Sequence, residues 1–219
     1  YFSSGAANVA TVNSAPTYND LAYLTSELNR NSAMKFFPET QGDSAFNTSP
    51  ILASYLAIGH TDLYEDFKRM SGFQHVAQYA GQTQTLMGEV GMVGQVRIVL
   101  CEDSSITTNS GAATGTSGLK SADTNVDTYQ TVIYGKNAFG SVGLDTAHLQ
   151  EIYKVGDKLP GIIVCKTDIG TSGIADPLKE IGTIGYKTWH AAKVISKLDA
   201  SNNTAWCKTL VSGATKLNT

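Results

Sequence analysis

One well-punctuated helix is followed by almost nothing but short β-branched runs, and that order confines the chain to folds built around a sheet. Thr17 stands at an N-cap position directly after Pro16, and Asp20 three residues on completes a capping-box spacing. Leu21, Leu24 and Leu28 recur at i, i+3 and i+7, which predicts an amphipathic helix over about residues 17–35, stopped by Pro38. A second helical signal is shorter: Thr61 or Asp62 caps a segment with Leu63, Phe67 and Met70 on one side, ended by Ser71-Gly72. Strands are expected at 52–58, 95–100, 128–134 and 161–166, the first and last of them buried. At the C-terminus, strands over 184–198 and 204–211 around a polar turn at 199–203 predict a β-hairpin. The pattern is that of an α+β body, without the regular strand–helix alternation of a parallel sheet.

Composition narrows the function classes. Only 16% of the residues are charged, the net charge is -3, and the longest basic run is Lys68-Arg69. Proteins that grip nucleic acid gather cations on one face to displace counterions, so direct DNA binding is not expected. Cys101, Cys165 and Cys207 stand singly in apolar contexts with no C-x-x-C, which reads as three buried, reduced thiols. No apolar run is long enough to span a bilayer. The first residues, Tyr-Phe-Ser-Ser-Gly-Ala-Ala, lack an initiator Met and a basic stretch, and read as an internal or processed start. Of residues 104–126, 18 of 23 are Ser, Thr, Gly, Ala or Asn, which predicts a flexible, surface-exposed loop.

Catalytic patterns are sparse. Gly42-Asp43-Ser44 with Asp145-Thr146-Ala147-His148 matches the G-D-S and D-x-x-H elements of SGNH-type esterases, with Ser44 as nucleophile, His148 as base and Asp145 orienting it. Its context disagrees, because the G-D-S of that family follows a buried first strand and here it follows Pro38 and Glu39. Asp123-x-Asn125-x-Asp127 opens like a calcium loop, but Thr128 stands where the turn glycine belongs and Tyr134 where a bidentate carboxylate belongs. These carboxylates are expected to be solvated. His60, His75, His148 and His190 show no metal-ligand spacing, and His60, between a strand and a capped helix, reads as a satisfied polar residue at an element end. No phosphate-binding loop is present. No catalytic, cofactor-binding or metal-ligating residue is expected, and nothing local marks Lys136 or Lys187 for cross-linking.

Five blocks in order carry a resemblance. They are Tyr55-Leu56-Ala57-Ile58-Gly59-His60-Thr61-Asp62-Leu63; Gly72-Phe73 with Tyr79; Gly88-Glu89-Val90-Gly91-Met92-Val93-Gly94-Gln95-Val96-Arg97; Thr131-Val132-Ile133-Tyr134-Gly135-Lys136-Asn137-Ala138-Phe139-Gly140; and Asp176-Pro177-Leu178 followed by Gly182-Thr183-Ile184-Gly185-Tyr186-Lys187-Thr188-Trp189. Together they resemble the major capsid proteins of N4-like tailed bacteriophages, which carry the HK97-type shell fold. Two positions depart from that pattern: Ser71 replaces a proline and Ile181 an arginine.

The resemblance implies an α+β, HK97-like subunit without the N-terminal arm, extended loop and spine helix of that family. Residues 1–50 would belong to its peripheral region, 51–180 to an axial-type body with the flexible loop 104–126, and 181–219 to the C-terminal hairpin. Tyr186, Trp189 and Trp206 are candidates for subunit contacts or for core. The implied function is self-association into hexamers and pentamers of an icosahedral shell that encloses DNA without reading its sequence. Decoration, scaffolding and portal proteins would be the further partners, with no membrane; the place would be the virion, after synthesis in a bacterial cytoplasm. An encapsulin-like compartment shell is the alternative within the fold, and the SGNH-type esterase the alternative outside it.

Overall fold

A computed structural model describes residues 1–39, 52–79, 85–115, 118–142, 163–170, 178, 180–187, 191–195 and 206–217. The protein is mixed α+β with a core made mostly of sheet. It divides into two compact units, Tyr1–Ala138 with Val194–Thr219, and Phe139–Lys193.

In the first unit, helix α1 (Tyr18–Arg30) begins as its sequence dictates. The Thr17 hydroxyl accepts from the Asp20 N–H at 3.3 Å, and the Asp20 carboxylate accepts from the Thr17 N–H at 3.0 Å. Asp20 is itself buried and also accepts from the Ser4 N–H, tying the N-terminal turn to the helix. The helix stops well short of the expected residue 35. Ser32 turns into the left-handed region at φ 57°, the Ala33 N–H reaches back to Leu28 O and the Ser32 N–H to Asn29 O. That pair of bonds is a Schellman closure, with Ser in the place that glycine commonly takes. Ala33 and Leu28 both lie in the core, so the closing turn is packed as well as bonded.

Strand β1 (Tyr55–His60) follows, three residues later than its composition suggests, because Ser54 is taken up in a bridge to Phe37. A 3-10 turn leads into helix α2 (Tyr64–Lys68). Neither Thr61 nor Asp62 is the cap: His60 caps the 3-10 turn, its Nδ1 accepting from the Asp62 N–H at 3.0 Å, and α2 starts after Leu63 without a side-chain cap. Strands β2 (Phe73–His75), β3 (Glu89–Val93), β4 (Val96–Cys101), β5 (Ile106–Thr107) and β6 (Thr128–Tyr134) complete the run.

The second unit contributes β7 (Phe139–Val142), β8 (Ile163–Thr167), β9 (Thr183–Lys187) and β10 (Ala191–Val194), whose last residue falls in the first unit; β11 (Cys207–Ser212) returns to the first. The main sheet runs β11-β6-β1-β4-β3-β2, with β5 beside β6; only β1 and β4 are parallel. Leu21, Leu24 and Leu28 of α1 and Phe67 of α2 join Tyr55, Ala57, Val96, Ile98, Ile133 and Leu210 from the strands in one core cluster.

Several expectations are corrected. The C-terminal hairpin over 181–219 does not form: β9 pairs with β8, β10 with β7, and β11 with β6, while the turn at 199–203 lies outside the described residues. β11 instead pairs along all six of its residues with β6 in the main sheet. The strand expected at 161–166 is β8, and its described side chains are exposed rather than buried. Cys101 and Cys165 are exposed and Cys207 half-buried, all three as free thiols.

The segment 104–126 is no loose excursion among its described residues. Gly111 and Ala112 exchange backbone bonds with Val126, Ala112 donates to Val12 O, and Lys120 donates to Ala214 O at 2.7 Å. Val126 and Leu119 are buried, and a Cβ on Gly111 would sit 2.8 Å from Val12 O. The segment does lie at the surface, with 105–109 and 122–124 exposed, but at Gly111, Leu119 and Val126 small or apolar residues bring it against the rest of the unit.

β6 and β11 are neighbours in the sheet although residues 135–206 separate them. Gly135 N–H donates to Trp206 O at 3.0 Å, and Ile195 N–H donates to Ala138 O at 2.8 Å. The second unit is therefore an insertion in the connection of a β-hairpin, leaving and re-entering at one place. Replacing residues 139–193 by a short glycine-containing turn is expected to leave a folded first unit with a single cooperative urea transition; a non-cooperative transition refutes this. At Gly91, a Cβ would fall 2.5 Å from Gln74 O and 2.6 Å from the Phe73 ring. Gly91→Ala is expected to lower stability by about 1–3 kcal/mol in urea denaturation.

Candidate functional site

The residues of the esterase pattern, Ser44, Asp145 and His148, lie outside the described residues, as do His190 and Trp189. Among the described residues no group of three or more His, Cys, Asp or Glu is placed to hold a metal. The calcium-like run has a different task. The Asp127 carboxylate is buried and accepts from the Asn109 N–H at 2.8 Å, while the Asn109 side chain accepts from the Asn125 N–H. Asp127 is thus a staple of the 104–126 segment rather than a solvated acid.

Two clusters of titratable groups remain. The first stands where β1 gives way to α2. Asp62 accepts from the Tyr129 hydroxyl of β6 at 2.9 Å and pairs with Lys120 at 2.7 Å, with His60 Nδ1 at 3.6 Å. Burial opposes ionisation of the Asp62 carboxyl, but the hydrogen bonds from Lys120 and Tyr129 and the charge of Lys120 outweigh it. The group is held below the usual carboxylate range. The Tyr129 phenol is pushed far up by burial and then by its bond to Asp62, so it stays a neutral donor. One turn on, Asp66 accepts from the Thr215 N–H at 2.9 Å and from the Thr215 hydroxyl. With its lone pairs engaged and His60 Nδ1 accepting from backbone, this network clamps the 104–126 segment and the C-terminal residues to α2.

The second cluster is inside the sheet. Arg97 on β4 is fully buried, its guanidinium 4.1 Å from the centre of the Phe37 ring and 5.5 Å from that of Tyr79. Its Nε lies 3.8 Å from Glu89 Oε1 on β3, and Glu89 Oε2 accepts from the Leu86 N–H. Burial, and then the Glu89 carboxylate, push the Tyr79 phenol far up, against a smaller opposing effect of Arg97. A planar cation between aromatic faces beside one carboxylate is a packing unit, fixed in place and sealed from solvent. An arginine between Val96 and Ile98, inside a run of strand residues, is the signal of this cluster in the sequence.

A cleft of about 500 Å³ along β8 and β9 is lined by Lys166, Asp168, Ile169, Gly182 and Ile184, its Lys166 and Asp168 paired with each other at 2.7 Å. Another of about 300 Å³ is lined by Tyr18, Leu21 and Thr25 of α1 and by Gly94 and Gln95 of the β3–β4 turn, with no acid, base or nucleophilic pair.

The surface feature that stands out belongs to the second unit. β8 and β9 form an antiparallel ribbon whose register sets Val164 opposite Tyr186 and Lys166 opposite Ile184. Opposed residues share a face. Val164 is 66% exposed, Ile184 75% and Tyr186 78%; Ile169, Leu178 and Ile181 nearby are also exposed. Tyr186, a candidate for core or contact by sequence, is therefore not core, whereas Trp206 packs against the core of the first unit and donates from Nε1 to Asn31 O at 3.1 Å.

No family model matches the chain, and no curated protein matches it. No helix among the described residues is long and apolar enough to cross a membrane.

Asp62 gives up its proton more readily folded than unfolded, so its contribution to stability is complete above the ordinary aspartate pKa of about 3.9 and disappears as pH falls through the lower folded value. Asp62→Asn is expected to lower stability at neutral pH by about 1–2 kcal/mol and to flatten the acid limb of the stability–pH curve. An unchanged acid limb in urea titrations at stepped pH refutes the assignment.

Proposed function

We propose that this chain is a structural subunit of a closed protein shell, with an HK97-like fold close to that of the N4-like phage major capsid proteins. It would associate into hexamers and pentamers around packaged DNA, in a virion. The observation that carries the reading is the order of the five blocks along residues 55–189.

The places of those blocks in the fold support it. The Gly88–Arg97 block builds the β3–β4 hairpin, and its two charged residues, Glu89 and Arg97, are the pair buried together. Gly88 and Gly94 take positive φ at the two ends of β3, and Gly91 is held against Phe73 and Gln74. In the block from Thr131, Gly135 lies where a Cβ would meet Met34 O at 2.6 Å, and Asn137 turns at φ 61°. Gly88, Gly91, Gly94 and Gly135 thus each answer a backbone requirement. The acids and bases of the two clusters described, Asp62, Asp66, Glu89, Arg97 and Lys120, are engaged in holding chain segments together. The apolar exposure of the second unit suits a surface made to be covered by neighbours.

Negative-stain electron microscopy of the protein, concentrated from its expression host, is expected to show rings of five and six subunits or closed shells of uniform diameter. Discrete single subunits in every field, with ester hydrolysis that disappears in Ser44→Ala, would overturn the reading in favour of the esterase.

A further inference from the structure

We propose that His60 and Asp62 form a proton-operated latch on the 104–126 segment and the C-terminal residues. With His60 neutral the latch is closed; a proton on its Nδ1 opens it. This goes beyond the shell reading and does not rest on it.

The structure holds the closed state. His60 is buried at the end of β1 and caps the following turn, its Nδ1 accepting from the Asp62 N–H at 3.0 Å. A ring nitrogen that accepts from a backbone N–H carries no proton, so the neutral imidazole holds its proton on Nε2. The Asp62 carboxylate is left to its other partners, Oδ1 to Lys120 at 2.7 Å and Oδ2 to the Tyr129 hydroxyl at 2.9 Å.

Lys120 is where the latch takes hold. Its N–H donates to Ala214 O, its carbonyl accepts from the Asp127 N–H, and the residue before it, Leu119, bridges to Thr215. The Lys216 N–H donates to Gly118 O. The segment and the C-terminal residues therefore cross at the residue whose side chain Asp62 grips.

A proton on Nδ1 reverses what that atom can do. It becomes a donor and loses the Asp62 N–H, while Asp62 Oδ2 stands 3.6 Å away as an acceptor. The imidazolium then enters a carboxylate already shared by Tyr129 and Lys120, displacing the first and competing with the second as a like charge. Facing the ring from neighbouring elements are Tyr129 of β6, its ring centre 5.5 Å away, and Cys101, its register partner on β4. Neither offers the imidazolium a carboxylate. On α2, Asp66 is committed to Thr215. Asp62 is held below the usual carboxylate range, so it keeps its charge while histidines ordinarily titrate. The latch is thus present while His60 is neutral and lost as pH falls through its protonation.

His75 supplies a comparison in the same chain. Its Nδ1 makes the same cap, accepting from the Ala77 N–H at 3.1 Å. Alanine stands there where Asp62 stands after His60, so a proton on His75 removes a cap and moves no carboxylate.

Amide hydrogen exchange of the full chain, followed by NMR from about pH 8 to about pH 5 and corrected for the intrinsic exchange rate, tests this beside nitrogen-15 spectra of the histidine rings. Protection of the Lys120, Asp127 and Lys216 amides is expected to fall roughly fivefold as His60 gains its second proton, the usual effect of losing one cap. In His60→Asn, whose side-chain oxygen caps the same N–H without titrating, protection should stay level over that range. His75→Asn should behave as wild type. Level protection in the wild type, a fall that persists in His60→Asn, or a proton found on Nδ1 of neutral His60 each overturn the proposal. Should His60→Asn not fold, the wild type decides: protection lost where His60 titrates supports the latch, and protection lost at any other pH overturns it.

Discussion

Everything in the first unit hangs on β6, the strand bonded along both edges to partners far away in sequence. One edge takes β1 and β5, the other the whole of β11. β11 in turn holds the N-terminal residues, through the parallel bridge of Phe2 to Val211. The residues after β11 hold the 104–126 segment through Ala214, Thr215 and Lys216. The start, middle and end of the chain therefore meet on a single ladder. Loop closure over such separations is entropically expensive, which makes this topology slow to form relative to a helical domain of the same size.

Local chemistry was legible in the sequence wherever the structure obeys local rules. The Thr17–Asp20 cap, the Leu stripe of α1 and the full extent of β6 can be read directly from residue types and spacing. What escaped was decided by distant partners. α1 ends at Arg30 because Ser32 accepts a left-handed turn, a conformation that serine does not advertise. The β-rich C-terminus looked like one hairpin because alternation reveals a strand and not its neighbour. The small residues of 104–126 suggested looseness, yet small side chains also let backbones approach, and there they do. The chemistry of the candidate sites was less legible still: Asp62, Lys120 and Tyr129 are far apart in sequence and meet only through the sheet.

The two units use their side chains in opposite ways. In the first, charge is turned inward: Asp20, Asp66, Glu89, Arg97 and Asp127 are all buried, each engaged with backbone or with a partner. Buried ions stabilise little against apolar replacements, but they penalise any arrangement that separates them, and so favour one register. In the second unit the described ribbon turns apolar side chains outward.

The way the second unit is attached has a mechanical side. Its two connections emerge from the same end of the β6–β11 ladder, beside the Tyr134–Cys207 pair. Tension drawn through both connections would load that ladder from one end, so its rungs would part singly, like a zipper, rather than resist together in shear. Trp206, wedged against the core and bonded to Asn31 O, stands at the mouth of that zipper. It is the rivet that a pull on the appendage would meet first.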